Sequence, residues 1–360
     1  MGKCNVSLQV AIIYTSDGCL TKYFVHISGE NINVAKAEVD VLASLPGVDK
    51  TVFWDERIGL IDAHTNPTQF LLERAALVKE AGVVLAEIDA QDDLLGSLSD
   101  DLLVDVIGTD GTFSVRTISE KSSFSVNERL GFETSVGAHI KHVVGANVNL
   151  NNPQTRILVV LTQDSIRVCE AVSSRLRPML RAREPGKKPF FHPSMMNATL
   201  ARVMCNLAGI TPDEVVLDPF CGGGGILCEA AHIGARTIGI DLSWRLLTGS
   251  KENLSSIGNG YNVIQGDVRN LPIHRCDCIV TDPPYGRASS TRGALGIDLV
   301  EALFGRADSI LHRRKGSICI CGSSEMNLQE LAENMGLVVN LVLQTRVHSG
   351  LVRELLILGF

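Results

Sequence analysis

The sequence predicts an α/β protein: a C-terminal doubly wound, Rossmann-like parallel sheet closed by an antiparallel hairpin, with two small α+β domains ahead of it. Three observations carry this expectation. From Pro189 onward, short apolar runs alternate with amphipathic segments of helical length, the pattern of parallel strands joined by crossover helices. The last two apolar runs, 337–343 and 351–358, flank His348-Ser349-Gly350 with no helix between them and so pair as a hairpin. The length, 360 residues, exceeds one typical domain.

In chain order, residues 6–61 set strand-like runs at 8–14, 23–27 and 51–54 around one helix. In that helix Val34, Ala37, Val41 and Leu42 recur at helical spacing, and Pro46-Gly47 ends it. This first unit, 1–65, reads as ferredoxin-like, and nothing in it suggests chemistry. Asn66-Pro67 places a capping side chain before a proline at the first helical position. A helix is therefore expected through Phe70, Leu71, Ala75, Leu77 and Val78, ending at Gly82 as its C′ residue. A strand at 112–117, a helix at 126–144 and a hairpin of 157–161 with 166–172, turned at Gln163-Asp164, complete a second α+β unit over 66–172. Residues 173–188 follow as a basic linker, and 189–360 form the third unit.

Composition narrows the functional classes. Hydrophobic residues make up 45% of the chain, ordinary for a globular protein. No apolar run approaches the roughly 18 residues of a membrane-span candidate. The run at 8–14 is too short for a signal peptide, and Val6 stands where myristoylation would need Ser or Thr. A cytoplasmic protein is the expectation. Ten cysteines include no C-x-x-C pair, so there is no zinc signature and no metal is expected. Cys276 and Cys278, like Cys319 and Cys321, are two apart in apolar strands; each pair should share one face as small buried hydrophobes in a reducing compartment.

A net charge of −7 by itself argues against a nucleic-acid binder, but the distribution of charge points the other way. Residues 86–110 hold eight acids and no Lys or Arg, more than the whole net charge. Residues 173–188 hold Arg175, Arg177, Arg181, Arg183, Lys187 and Lys188 against Glu184 alone. A local basic stripe can bind phosphates on an acidic protein, although a merely solvated linker has the same composition.

The third unit carries the chemistry. Strands are expected at 215–217, 237–240, 262–264, 278–280 and 317–321, and helices at 194–207, 226–233, 244–257, 297–312 and 325–335. Between the first strand and its helix lies Asp218-Pro219-Phe220-Cys221-Gly222-Gly223-Gly224-Gly225. Consecutive glycines let a backbone turn sharply and approach a ligand closely. Leu227 stands where the dinucleotide fingerprint has its third glycine, and no G-x-x-x-x-G-K-[ST] occurs, so neither NAD nor P-loop ATP binding is indicated. Four successive strands end in Asp218, Asp241, Asp267 and Asp282, along the carboxyl edge where open α/β sheets bind ligands. Asp241 lies 19 residues after Gly222, where an acid can accept ribose hydroxyls. Acids and glycines without a phosphate-binding lysine suit a cationic adenosine ligand, S-adenosylmethionine.

The fourth strand runs into Thr281-Asp282-Pro283-Pro284-Tyr285-Gly286. Two prolines forbid both a helix and further ladder pairing. They fix a carboxylate, a proline carbonyl and an aromatic face around one small space. That set suits a planar group bearing an amino nitrogen: the two acceptors take its N–H bonds, the ring stacks on its face, and positioning supplies most of the catalysis. An ordinary strand-end turn uses the same D-P and P-P signals.

D-P-F-C-G-G-G-G at 218–225, G-I-D-L at 239–242, Q-G-D-V at 265–268 and T-D-P-P-Y-G-R at 281–287 together resemble class I amino-methyltransferases. Pro189-Phe190-Phe191-His192-Pro193, leading into Leu200-Ala201-Arg202, is similar to the preceding motif of one branch. That branch is the THUMP-containing tRNA guanine-N2-methyltransferases, in particular those acting on guanosine 10. The likeness is specific over 189–287 and architectural over 1–172, where the hairpin within 157–172 is the best local support for a THUMP domain. Gly223 departs mildly, because the family often has Ser or Thr there.

The resemblance implies roles for individual residues. Phe191 and His192 pack beside the methionine end of S-adenosylmethionine, Asp241 holds the ribose, and Asp267 and Val268 flank the adenine. Asp218, Pro219, Cys221, Gly222, Gly224, Leu242 and Asp282 complete the cofactor site. Asp282 and the Pro283 carbonyl take the guanine amino hydrogens, and Tyr285 stacks on the base. Methyl transfer is then an in-line displacement at a sulfonium, with proton loss after transfer and no covalent enzyme intermediate. A base paired in a tRNA stem must be unstacked to reach such a pocket. The N-terminal units and the basic stripe grip the acceptor end through phosphates and shape, unless those units are a dimerisation module. Some relatives work with a small zinc-binding activator subunit at the sheet edge; the short, uncharged strand near Tyr261 and Ile264 is the edge expected here. Adenine N6 or a glutamine amide are alternative acceptors for the same turn, although the glutamine branch usually has Asn in the first place. Outside enzymes, the alternative is a catalytically silent RNA-binding protein, against which every chemical position is intact.

Overall fold

The computed structural model describes residues 20–45, 47–48, 50–89, 93–119, 124–162, 164–258, 260–284, 296–312, 316–348 and 351–359. The strand expected at 8–14, Pro46, Gln163 and Tyr285 lie outside these residues. The chain packs as two units, one of Met1–Ile27, Lys50–Gln69 and Lys79–Ser174, the other of Ser28–Asp49, Phe70–Val78 and Arg175–Phe360.

The N-terminal half forms β1 (Thr21–Ile27), α1 (Ile32–Ala43), β2 (Phe53–Asp55), β3 (Ile58–Ala63), α2 (Thr68–Arg74), β4 (Val78–Asp89), α3 (Asp100–Ile107), β5 (Thr112–Ser119), α4 (Val126–Val144), β6 (Asn147–Val148), β7 (Thr155–Leu161) and β8 (Ser165–Ser173). Its strands make one sheet in the order β2-β3-β1-β4-β8-β7-β5-β6, so strands from before and after residue 65 share it. The helix expected at 126–144 is α4, started by a reciprocal capping box of Ser125 and Glu128. The hairpin of β7 and β8 is antiparallel as expected.

The helix expected from Asn66-Pro67 to Gly82 stops at Arg74. Asn66 does cap it, its Oδ1 accepting the Thr68 N–H at 2.9 Å. Beyond it, the buried Glu38 carboxylate takes the Ala76 and Leu77 N–H groups at 2.8 and 2.9 Å, and no helical carbonyl can claim them. Gly82 is therefore no helix cap but a residue of β4. A Cβ there would overlap the Glu170 carbonyl oxygen of β8, so glycine is what lets the two strands approach. Further along the acidic stretch, Asp100 and Asp101 occupy the first turn of α3 behind a Ser99 N-cap, where negative charge favours the helix.

The C-terminal half adds α5 (Leu176–Ala182), α6 (Ala198–Leu207), β9 (Val215–Asp218), α7 (Gly225–Ile233), β10 (Arg236–Asp241), α8 (Trp244–Ser255), β11 (Tyr261–Gln265), β12 (Cys278–Thr281), α9 (Gly296–Ile310), β13 (Ser317–Ser323), α10 (Leu328–Asn334), β14 (Val338–His348) and β15 (Leu351–Gly359). The sheet order is β11-β10-β9-β12-β13-β15-β14. The first five strands are parallel and the terminal hairpin joins antiparallel, the architecture the sequence predicts. β11 is an edge of the sheet.

Alternation along the strands builds a core on each face. Val216, Cys278, Val280, Cys319 and Cys321 face α6 and α7, while Leu217, Ile279, Ile318 and Ile320 face α9 and α10. The expectation that Cys276 shares a face with Cys278 fails. β12 begins only at Cys278, and Cys276, whose N–H is bound by the Ile310 carbonyl, packs in the opposite core. Residues 175–188, expected as a linker, hold α5, which buries Leu176 and Leu180 one turn apart. Among the described residues no helix is long and apolar enough to cross a membrane.

Candidate active site

The chain crosses from β11 back over the sheet to β12, which pairs with β9. That reversal opens a crevice at the carboxyl ends of β9 and β12, where open α/β sheets bind ligands. Asp218 ends β9 and Asp282 follows β12. The Thr281 hydroxyl donates to Asp218 Oδ1 at 2.7 Å, tying the two strand ends together. The Phe220 N–H donates to the same oxygen at 3.1 Å. Asp218 is buried, and desolvation pushes its carboxyl up to about 7, with the Asp282 and Asp241 carboxylates adding to the rise.

The glycine loop is packed on both sides. Gly222 and Gly224 have φ of +50° and +80°, backbone that glycine adopts without steric cost. A Cβ on Gly224 would collide with the Ser250 hydroxyl of α8, and one on Gly223 would lie 2.6 Å from Met195 Sδ. Met195 thus fills the space that a Ser or Thr at 223 would need. Cys221 and Pro219 are buried beneath the loop. Asp241 caps the turn: its Oδ2 accepts the Gly222 N–H at 3.0 Å and its Oδ1 the Ser243 N–H at 2.8 Å. Leu242 lies beside it, half-buried.

Asp267 turns toward Arg269, accepting from its backbone N–H and Nε at 3.0 Å and from Nη2 at 2.6 Å. Val268 packs in the α9 core. Phe191 is 55% exposed, and His192 Nδ1 bonds the Ser194 hydroxyl at 2.7 Å. Pro283 is buried beside half-buried Asp282. A Cβ on Gly296 would overlap the Pro284 carbonyl oxygen, so the start of α9 depends on glycine to close against this turn.

The six bases separate. Arg177 and Arg181 lie four residues apart on α5, and Arg175 and Lys187 are exposed. Lys187 Nζ donates to the Arg181 carbonyl at 2.8 Å. Lys188 faces the Cys228 thiol, and Arg183 pairs at 2.9 Å with the buried Glu229, which also holds Arg202 at 3.2 Å. The Arg183 guanidinium is thus committed to the α6–α7 core.

Two residues of the site carry no sequence motif. Asn253 on α8 donates to the Phe190 and Gly223 carbonyls at 3.1 and 2.9 Å and accepts the Phe190 N–H at 2.9 Å, clamping the 190 segment to the glycine loop. Arg353 on β15 brings Nη1 to 3.8 Å from Asp282 Oδ2. Its only sequence signal is a base within an apolar strand. The assembled edge, acidic and built on close backbone approaches, can hold a small cationic ligand beside a planar amino group.

Comparison with known proteins agrees with this fold. The RMKL-like methyltransferase domain matches residues 185–354, and the THUMP domain matches residues 101–169. The tRNA (guanine(10)-N2)-dimethyltransferase of Methanothermobacter thermautotrophicus is 33% identical over 313 residues, 85% of this chain and 90% of that one. The enzyme of the same name from Pyrococcus abyssi is 31% identical over 340 residues, 92% of this chain and 97% of that one. Among solved structures, TrmN from Thermus thermophilus shares the fold, with a TM-score of 0.56 and 19% identity over 94% of this chain and 99% of that one. On the strength of the two archaeal relatives, matched across most of their length, this chain belongs to the THUMP-containing tRNA (guanine(10)-N2)-methyltransferase family.

Proposed function

We propose that this protein transfers a methyl group from S-adenosylmethionine to the exocyclic N2 of guanosine 10 in tRNA. The observation that carries the reading is the Thr281–Asp218 bond across paired strands, which sets Asp282 at the switch point of the sheet beside the glycine loop. The residues fit the cofactor. Asp218, Asp241 and Asp282 make an acidic edge, and a nearby cation favours ionisation of the buried Asp218. S-adenosylmethionine supplies, when bound, a sulfonium methyl open to displacement by a nitrogen lone pair.

The chain's own residues do the rest. Asp282 and the Pro283 carbonyl accept the amino hydrogens of the flipped guanine and hold the nitrogen in line, and Tyr285 stacks on the base. Asp282 also stabilises the positive charge that grows on the nitrogen, before its proton passes to water. Asp241 and Leu242 hold the ribose, Asp267 and Val268 border the adenine, and Phe191 and His192 close the methionine end. Phosphates meet Arg175, Arg177, Arg181 and Lys187. We read 1–65, 66–172, 173–188 and 189–360 as N-terminal, THUMP, basic connecting and catalytic segments. The exposed edge of β11 is where a small zinc-binding activator subunit would add, and the cytoplasm is where such an enzyme would meet tRNA.

The test is incubation with unmodified tRNA transcript and labelled S-adenosylmethionine, with and without a candidate activator, and identification of the labelled nucleoside by mass. Mono- or dimethylated N2-guanosine that disappears when position 10 is changed is expected. Label in adenosine or protein would sink the substrate assignment, and tight tRNA binding with no label would favour a silent RNA-binding protein.

A further inference from the structure

The reactive edge gathers acids, and a base reaches into it. Arg353 sits on β15, in register with Ser323 of β13 and Thr345 of β14. Its Nη1 is 3.8 Å from Asp282 Oδ2, with the side chains only 21% and 16% exposed. Among the described residues, the Cys321 thiol of β13 hydrogen-bonds Asp282, and the Asp218 carboxyl of β9 is near enough to feel the Asp282 charge. The Thr281 hydroxyl is turned to Asp218. The Arg353 guanidinium is a cation beside a half-buried carboxylate, and such a cation favours the ionised form. A protonated Asp282 would carry an O–H donor where the substrate needs an acceptor, and it would lose the charge that favours a cationic nitrogen.

We propose that Arg353 is a positioning residue for methyl transfer: its guanidinium holds Asp282 as an anion and sets the rotation of the carboxylate that accepts the substrate's amino hydrogen. The proposal rests on the reading of Asp282 as that acceptor. It concerns a residue on the C-terminal hairpin, far in sequence from every motif of the site.

Single-turnover methyl transfer to the tRNA transcript is measured from about pH 5 to about pH 9 for the unaltered protein, Arg353→Lys, Arg353→Gln and Arg353→Met. The Met variant keeps the apolar stem should the Gln variant fail to fold. The acid limb should move up by about 1 to 2 pH units in Arg353→Gln and Arg353→Met. Their rates should then fall most well below the limb, by roughly tenfold to a hundredfold, and much less near pH 9, while Arg353→Lys restores most of the limb. In an Asp282→Asn background, adding Arg353→Gln should cost nothing further. An acid limb that stays in place, a loss equal at every pH, or full additivity with Asp282→Asn would each overturn the role of Arg353. Full activity in Asp282→Asn alone would instead overturn the reading of Asp282, a result that the single Arg353 variants cannot mimic.

Discussion

The two sheets of this protein treat charge in opposite ways. In the N-terminal sheet, acids and bases alternate across strands: Lys22 of β1 pairs with Glu87 of β4, Arg167 of β8 bridges Glu87 and Asp55, and Arg156 of β7 meets Glu80. Burial alone would raise Glu87, but hydrogen bonds from Lys22 and Arg167 outweigh it and leave the carboxyl below its ordinary value. At the carboxyl edge of the C-terminal sheet, Asp218 and Asp241, held by backbone and hydroxyl donors, gather with Asp282, and burial leaves Asp218 raised. Matched charge of the first kind is structure. Like charge crowded at strand ends destabilises the free chain, and such crowding is common where a ligand completes the site.

The sharpest break of this contrast is Asp282→Ala. Methyl transfer should fall by about a hundredfold to a thousandfold, with the melting temperature little changed, as read by single-turnover assay and calorimetry. A large loss of stability with modest loss of rate would put Asp282 in the structural class. Next comes Arg167→Met in the N-terminal sheet. Arg167 is 7% exposed in its side chain, and its removal leaves Glu87 and Asp55 without that partner, costing roughly 3 kcal/mol. Chemical denaturation should report that loss while the single-turnover rate of folded, tRNA-saturated protein stays the same.

Asp218→Asn should do the reverse and stabilise. The carboxyl is raised from 3.8 to about 7, so between those values the folded chain keeps a proton that the unfolded chain has lost. Stability therefore falls as pH rises through that window and stays lower above it. The ceiling on this penalty is about 4 kcal/mol, and relaxation around the site should leave about half. Asn keeps an oxygen for Thr281 and Phe220, so the variant should melt higher at neutral pH, equal the parent near pH 4, and bind S-adenosylmethionine more weakly. A variant that melts lower at pH 7 would remove Asp218 from the strained class. The smallest effect belongs to Arg181→Ala on α5: tRNA affinity should drop severalfold, and the slope of log affinity against log salt should shrink by about 1. An unchanged slope would make α5 a solvated face.

Much of the site is legible in the sequence because its signals are local. An apolar run ending in an acid, two prolines or a string of glycines says where a strand stops and how the chain must turn there, so Asp218, Asp241, Asp267 and Asp282 can be placed at strand ends by pattern alone. The helix over 126–144 and the hairpins of β7 with β8 and β14 with β15 follow from period and turn chemistry in the same way. Local pattern failed where a distant partner decided the outcome. Gly82 reads as a helix cap until Glu170 is found against it, and the helix before it is cut short by Glu38. Cys276 reads as the face-mate of Cys278 until the bend before β12 sends it to the other core. Only the crossover that seats β12 beside β9 brings Thr281, and with it Asp282, to Asp218 across 63 residues of sequence. That pairing, the Asn253 clamp and the approach of Arg353 from the hairpin depend on how non-adjacent strands are ordered, and the period of a side-chain pattern records which face a residue takes but not which strand lies next to it.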